Sequence, residues 1–336
     1  MAEEFLSLPR AEQLEALGVA ATASGRPPYL LEKDVWVVWA LAALFEAPFG
    51  KDLVFKGGTS LSKGYRAIRR FSEDVDVTYD IRALAPDLVR DAADALPANA
   101  SQEKKWSKAV RTRLPTWVTD QALPIVQARL STLPYGVTAR AEGDSVLIQY
   151  EPLTGIAGYV APVVRLEFGA RSTGEPWEAK PIVCDAAEYV PALAFPTATA
   201  RVMRVERTFW EKATAIHVYC LQQRQRANRF ARHWHDVTRL DLAGYAAAAL
   251  ADRDVAQAVA RHKSVFFSEK DVAGTEIDYF AAVSGTLTLV PEGTALDALR
   301  DDYTRMAEAL VLLDDDEPFD SLIAKCREIQ GRANAV

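Results

Sequence analysis

Apolar side chains fall at helical spacing along the first forty-five residues. Leu14, Leu17 and Ala21 recur at i, i+3 and i+7 before a Gly25-Arg26-Pro27-Pro28 break, and a second apolar run extends from Leu30 to Phe45. This spacing predicts two helices separated by a turn. The period then changes. Asp52-Leu53-Val54-Phe55-Lys56 is a short apolar run ending at Gly57-Gly58, and residues 74–79 alternate polar with apolar, so each predicts a strand. Residues from about 84 to 132 return to a helical pattern, one segment from Leu84 to Leu96 and another from Lys104 to Leu130 interrupted at Pro115. This block reads as an insertion, because β-type runs resume at 137–141, 145–150, 163–168 and 179–183 and are expected to extend the sheet begun near residue 52. After a short run at 201–205 the chain reads as helical to its end, apart from 286–290.

The fold class is therefore α+β, a mixed sheet with helices. At 336 residues the chain exceeds one ordinary core, and two lobes are expected: a core over 1–200 with N-terminal helices and the helical insertion at 84–132, and a mainly helical lobe over 201–336. The longest apolar stretch, Val35 to Phe45, is too short to span a bilayer and reads as a buried helix. Glu3 and Glu4 stand where a secretory leader would be basic and then apolar, so a cytoplasmic location is expected, with no membrane partner. Cys184, Cys220 and Cys326 are odd in number and lie in no Cys-x-x-Cys pair, which argues against a disulfide framework and a zinc ribbon.

The formal net charge of −7 removes general basicity as a route to nucleic acid. Any such binding must be local. Two basic stretches qualify: Lys104, Lys105, Lys108, Arg111 and Arg113, and the four arginines from Arg224 to Arg232.

The sharpest chemistry lies in Phe55-Lys-Gly-Gly-Thr-Ser-Leu-Ser-Lys-Gly-Tyr65 followed by Arg70-Phe-Ser-Glu-Asp-Val-Asp76, a strand, turn, helix, strand unit. Asp74 and Asp76 stand two apart on a strand, so both side chains leave one face and both can reach one ion. Phosphoryl transfer from a nucleoside triphosphate needs a divalent metal, magnesium or manganese, bound by such oxygens. Gly57 and Gly58 remove side chains where backbone must approach phosphates, and Thr59 and Ser60 offer donors to an anion. Lys56 and Lys63 flank the motif and either contact phosphates or face solvent.

These residues, Gly57-Gly58-Thr59-Ser60-Leu61 with Arg70-Phe71-Ser72-x-Asp74-x-Asp76, resemble the motifs of the AbiEii/MenT-like nucleotidyltransferase toxins, a type IV toxin–antitoxin family with a DNA polymerase β-like fold. Arg207-Thr-Phe-Trp-Glu-Lys212 and Arg232-His233-x-x-Asp236 resemble its later motifs, so the likeness spans Leu31 to Arg239. The resemblance implies that Lys212 is a nucleotide phosphate ligand and that Asp236 is an active-site carboxylate supplied with Lys212 to the cleft; Ser72, two residues before Asp74, is expected to touch the nucleotide by its position. A phosphate on Ser72 would place negative charge beside the carboxylates and block metal and triphosphate. The arrangement in polymerase β also has a third carboxylate on a neighbouring strand. Glu167 is the candidate, with pairing to Arg165 as its alternative. Read from residues alone, Thr208-x-x-Glu211 has capping-box spacing and would open a helix at Phe209, placing Lys212 at the edge of the buried face. Asp236 could orient Arg232 at i,i+4. His233 and His235 point apart on a helix, so no zinc is expected.

The resemblance implies a toxin that moves a nucleotide from a triphosphate to an RNA, the tRNA 3′ end, and blocks translation, with a cognate antitoxin encoded nearby. The alternatives are a nucleotidyltransferase acting on a small molecule or protein, and a non-catalytic nucleotide-binding partner protein. Retention of Asp74, Asp76, Lys212 and Asp236 together speaks against the last.

Overall fold

The computed structural model describes residues 3–71, 74–134, 136–154, 161–224, 229–309, 312–313 and 316–335. The chain divides into two units, one of Met1–Gly64, Ser72–Arg90 and Lys108–Val202, the other of Tyr65–Phe71, Asp91–Ser107 and Met203–Val336.

The first unit is built on a seven-stranded mixed sheet. Its strands are β1 (Leu53–Lys56), β2 (Asp74–Tyr79), β3 (Thr138–Glu142), β4 (Ser145–Gln149), β5 (Val163–Gly169), β6 (Trp177–Val183) and β7 (Thr197–Met203), in the spatial order β3-β4-β5-β2-β1-β7-β6. The strand carrying both aspartates thus sits in the middle, antiparallel to β1 and parallel to β5. Alternation decides which face is core. Val75, Val77, Leu166 and Phe168 are at most 1% exposed, whereas Asp74, Asp76 and Arg165 on the opposite face remain half-buried and Glu167 is exposed. Over the apolar face lies helix α2 (Pro28–Phe45), which follows α1 (Arg10–Ser24). Because α2 is buried from Leu30 to Leu44, its apolar run has no solvent stripe. Proline at its first turn and the left-handed Gly25 that ends α1 account for the break between them.

The predicted insertion is only partly helical. Where one helix is expected over 84–96, the structure has single turns at Ile81–Leu84 and Pro86–Val89 and irregular backbone beyond, because Pro86 and Pro97 cannot extend a helix. Helix α4 (Ala100–Trp117) carries Pro115 inside its last turn, a π turn over Val118–Ala122 absorbs the disruption, and α5 (Leu123–Leu130) continues. Trp117 follows that proline onto the sheet, stacked on Tyr79 at 4.1 Å and edge-on to Phe168 at 5.3 Å.

The second unit is helical, with α6 (Val205–Leu221), α7 (Arg232–Leu242), α8 (Tyr245–Ala251), α9 (Arg253–Phe266), α10 (Gly293–Glu308) and α11 (Phe319–Asn334). The strand expected at 286–290 is absent. Thr286 ends a π turn, and the backbone of Leu287 and Leu289 is satisfied by the side chains of Asn334 and Gln330 on α11 rather than by a ladder. Trp210 and Trp234 are fully buried and give their indole N–H groups to the carbonyls of Ala249 and Leu289.

No described helix is long and apolar enough to cross a membrane. All three cysteines are free and buried, and burial pushes each thiol above its usual pKa.

The buried α2 also carries Glu32, 4% exposed, whose two oxygens accept the Leu153 N–H at 3.0 and 3.1 Å. Burial raises its pKa from 4.5 to about 7, against the opposing Leu153 hydrogen bond and the Arg10 charge. A carboxyl raised in the folded state stabilises it below the unfolded pKa and loses that contribution as pH rises through the folded one. Glu32→Gln keeps an acceptor for Leu153 and removes the buried charge. We expect the variant to be more stable than wild type at pH 8, by about 2 kcal/mol after allowance for solvent screening, and not at pH 4. Urea midpoints at the two pH values check this, and a gain at pH 4 as large as at pH 8 would contradict it.

Candidate active site

In the first unit the site grows from strand register. Asp76 of β2 is paired with Glu167 of β5, and Asp74 with Arg165, so all four side chains leave one face. Arg165 does not neutralise Glu167. Its guanidinium goes instead to Glu142, at 3.1 Å. Burial pushes the Glu167 carboxyl up, and the negative charges of Asp76, Asp74 and Asp144 push the same way, with Arg165 opposing. Asp74, Asp76 and Glu167, three carboxylates on one face of adjacent strands, are a donor set that suits a divalent cation with oxygen preference. Among the described residues no three acidic, imidazole or thiol side chains already converge as ligands would.

On the other side of β2, β1 ends at Lys56 opposite Asp76, and helix α3 (Gly57–Lys63) begins at once. Gly57 has φ +77°, and a Cβ there would overlap the Asp76 carboxylate. Only glycine satisfies both conditions. Gly58, Thr59 and Ser60 are buried in the first turn of α3. Their hydroxyls are already committed, Thr59 Oγ1 donating to the Asp74 carbonyl at 2.5 Å and Ser60 Oγ to the Gly57 carbonyl at 2.9 Å. Lys63 does not face solvent. Its ammonium lies 2.6 Å from Asp34 and 2.7 Å from Asp185. Ser72 lies outside the described residues.

The second unit holds a buried ionic cluster. Asp236 on α7 is 0% exposed and takes a bidentate pair from Arg70, with Nε at 2.6 Å and Nη2 at 2.8 Å, plus the Lys212 ammonium at 2.8 Å. Burial alone would raise the Asp236 carboxyl, but the Arg70 and Lys212 charges and their hydrogen bonds hold it well below the usual range. The partner of Asp236 is thus Arg70, four residues ahead of Asp74 in the chain, and not Arg232. Lys212 is 7% exposed, more enclosed than its helical position predicts. Helix α6 begins at Val205, a turn earlier than the capping-box spacing suggests, because Glu211 is drawn to Arg207 at 3.1 Å and Arg204 serves as the N-cap. His233 Nδ1 and His235 Nε2 are buried without hydrogen-bond partners among the described residues. Burial and the nearby Lys212 charge lower the His233 pKa well below its usual value, so this imidazole is neutral.

Asp34 and Asp185 escape a motif reading. Their one signal is Glu32-Lys33-Asp34, three charges inside an otherwise apolar helix.

No curated protein matches the sequence. The structure is similar to that of MenT4, nucleotidyltransferase toxin Rv2826c from Mycobacterium tuberculosis H37Rv, at 20% identity over 98% of this chain and 99% of that one, with a TM-score of 0.35, too loose to transfer any residue's role. The family model described as nucleotidyl transferase AbiEii toxin, type IV toxin–antitoxin system, matches residues 39–325, and by that match the chain belongs to the AbiEii nucleotidyltransferase toxin family.

Proposed function

We propose that this nucleotidyltransferase transfers a nucleotide from a nucleoside triphosphate to an RNA acceptor, the 3′ end of tRNA, in the cytoplasm, and so blocks translation. The observation that carries the reading is the register of β2 against β5, which sets Asp74, Asp76 and Glu167 on one face of adjacent central strands. When bound there, magnesium or manganese supplies the positive charge that lets triphosphate oxygens and an attacking hydroxyl approach one another. Asp74, Asp76 and Glu167 would hold it. Gly57 keeps the turn beside Asp76 free of a side chain; by the family resemblance Lys212 is the phosphate ligand, held within the second unit by Asp236 at 2.8 Å. Asp236 acts through Lys212 and Arg70, and is a positioning residue.

For the acceptor, α4 offers Lys104, Lys108 and Arg111 at i, i+4 and i+7, all exposed and without an ion-pair partner among the described residues. Such a stripe suits an RNA backbone. The second basic stretch contributes less, since Arg224 hydrogen-bonds Gln222 at 2.6 Å and residues 225–228 lie outside the described ones. Of the seven tryptophans, Trp177 is exposed, at 38%, with the Arg201 guanidinium 4.5 Å over one face of its ring, which leaves the other face for a base. Membership of a type IV toxin–antitoxin family implies a cognate antitoxin as partner.

Incubation of the protein with total tRNA, magnesium and each α-labelled nucleoside triphosphate in turn tests the reading. Label is expected on tRNA with the wild type, reduced at least about a thousandfold by Asp76→Ala, which removes a metal-holding oxygen pair. Unlabelled RNA alongside magnesium-dependent triphosphate binding would move the acceptor to a small molecule or a protein.

A further inference from the structure

Helix α3 has seven residues, too few to be stable by itself. Yet it borders both aspartates, since Gly57 abuts the Asp76 carboxylate and Thr59 bonds the Asp74 carbonyl. Whatever fixes α3 therefore fixes the backbone and side chain of the catalytic strand.

The other end of α3 is held by charge. Lys63, its last residue, is enclosed with its ammonium between Asp34 of α2 and Asp185, and two of its three N–H donors are thereby committed. Asp34 is also enclosed and accepts the Asp185 backbone N–H at 2.6 Å, while Arg26 pairs with the same Asp185 carboxylate. The result is a chain of alternating charge, Asp34, Lys63, Asp185, Arg26, that ties α3 to α2 and to the segment after β6. A lysine engaged in this way is poorly placed to serve a triphosphate. Withdrawing it would leave Asp34 buried without its counter-ion, which is strongly unfavourable.

We propose that Asp34 and Asp185 are positioning residues for nucleotidyl transfer. Acting through Lys63 and α3, they hold Asp74 and Asp76 in the geometry that binds the metal–triphosphate complex, and Lys63 is a strut and not a phosphate ligand. The inference rests on the reading of Asp74 and Asp76 as the metal-holding pair.

Calorimetric titration of the full chain with the magnesium complexes of ATP, GTP, CTP and UTP, each alone, tests it. Asp34→Asn, Asp185→Asn and Lys63→Met are each expected to weaken binding about tenfold, the size seen when a group supporting a metal ligand is lost. Lys63→Arg, which preserves both pairs, should bind within about threefold of wild type. The double variant Lys63→Met/Asp34→Asn should bind no more weakly than Lys63→Met alone, since both act through one strut. A role confined to stability would lower the unfolding temperature of these variants and leave the affinity of the folded protein unchanged, which overturns the proposal. So does Lys63→Met weakening binding while both aspartate variants bind as tightly as wild type or better, because Lys63 would then touch phosphate. Should Asp34→Asn fail to fold, Asp185→Asn, whose side chain is 30% exposed, carries the same expectation. If the wild type binds none of the four complexes, the reading of the aspartate pair fails and this proposal falls with it.

Discussion

Asp236→Ala is expected to cost about 3–5 kcal/mol of stability, enough to unfold many domains at 37 °C, because Arg70 and Lys212 lose the buried carboxylate they share. The contrast with Asp236→Asn sharpens the test. Asparagine keeps one acceptor for the Arg70 fork, so it should retain the fold better while still losing the charge that holds Lys212. Chemical denaturation of the three proteins measures the order wild type, Asn, Ala. The loss should appear at neutral pH and shrink only in strong acid, because the Asp236 carboxyl is held well below the usual range and its contribution disappears as pH falls through that lowered value. An alanine variant as stable as wild type would mean that the three side chains are not closed to water.

Gly57→Ala is the second large effect. At φ +77° any L-residue is strained by about 1 kcal/mol, and the added methyl would overlap the Asp76 carboxylate. Two outcomes are open to the chain, retreat of the turn or rotation of Asp76, and each spoils the cation site. We expect nucleotidyl transfer to fall about a hundredfold or more, with a thermal midpoint only a few degrees lower. Gly58→Ala, at a helical position with negative φ, should be milder. Comparison of transfer rates and melting curves for the pair separates a local geometric fault from general destabilisation. Equal loss in both would point to a demand for flexibility instead of the specific encounter at Gly57.

Much of this site is readable in the sequence because its signals are local. The spacing Asp74-x-Asp76 in an alternating run fixes a shared face, and the glycine pair fixes a turn, both within one supersecondary unit. Glu167 is harder, since its place beside Asp76 depends on a parallel pairing between strands some ninety residues apart. What periodicity could not give is the tertiary partner. Lys212 has the helical phase of a boundary residue, but packing and Asp236 enclose it. Thr208 and Glu211 have the spacing of a cap, yet Glu211 turns to Arg207 and the helix starts earlier. The missing helix over 84–96 and the missing strand at 286–290 have different causes. In the first, proline overrides apolar spacing. In the second, side chains of α11 satisfy the backbone that a strand partner would otherwise have to satisfy.

The three cysteines have a practical consequence. Thiol chemistry, whether alkylation, disulfide exchange or the first step of oxidation, proceeds through the thiolate, and here every thiol is enclosed and held in its protonated form. The folded protein is in effect a cysteine-free background. A single cysteine introduced on the exposed face of α4 would be its one reactive handle, so a fluorophore or crosslinker could be attached beside the basic stripe without first removing the native residues.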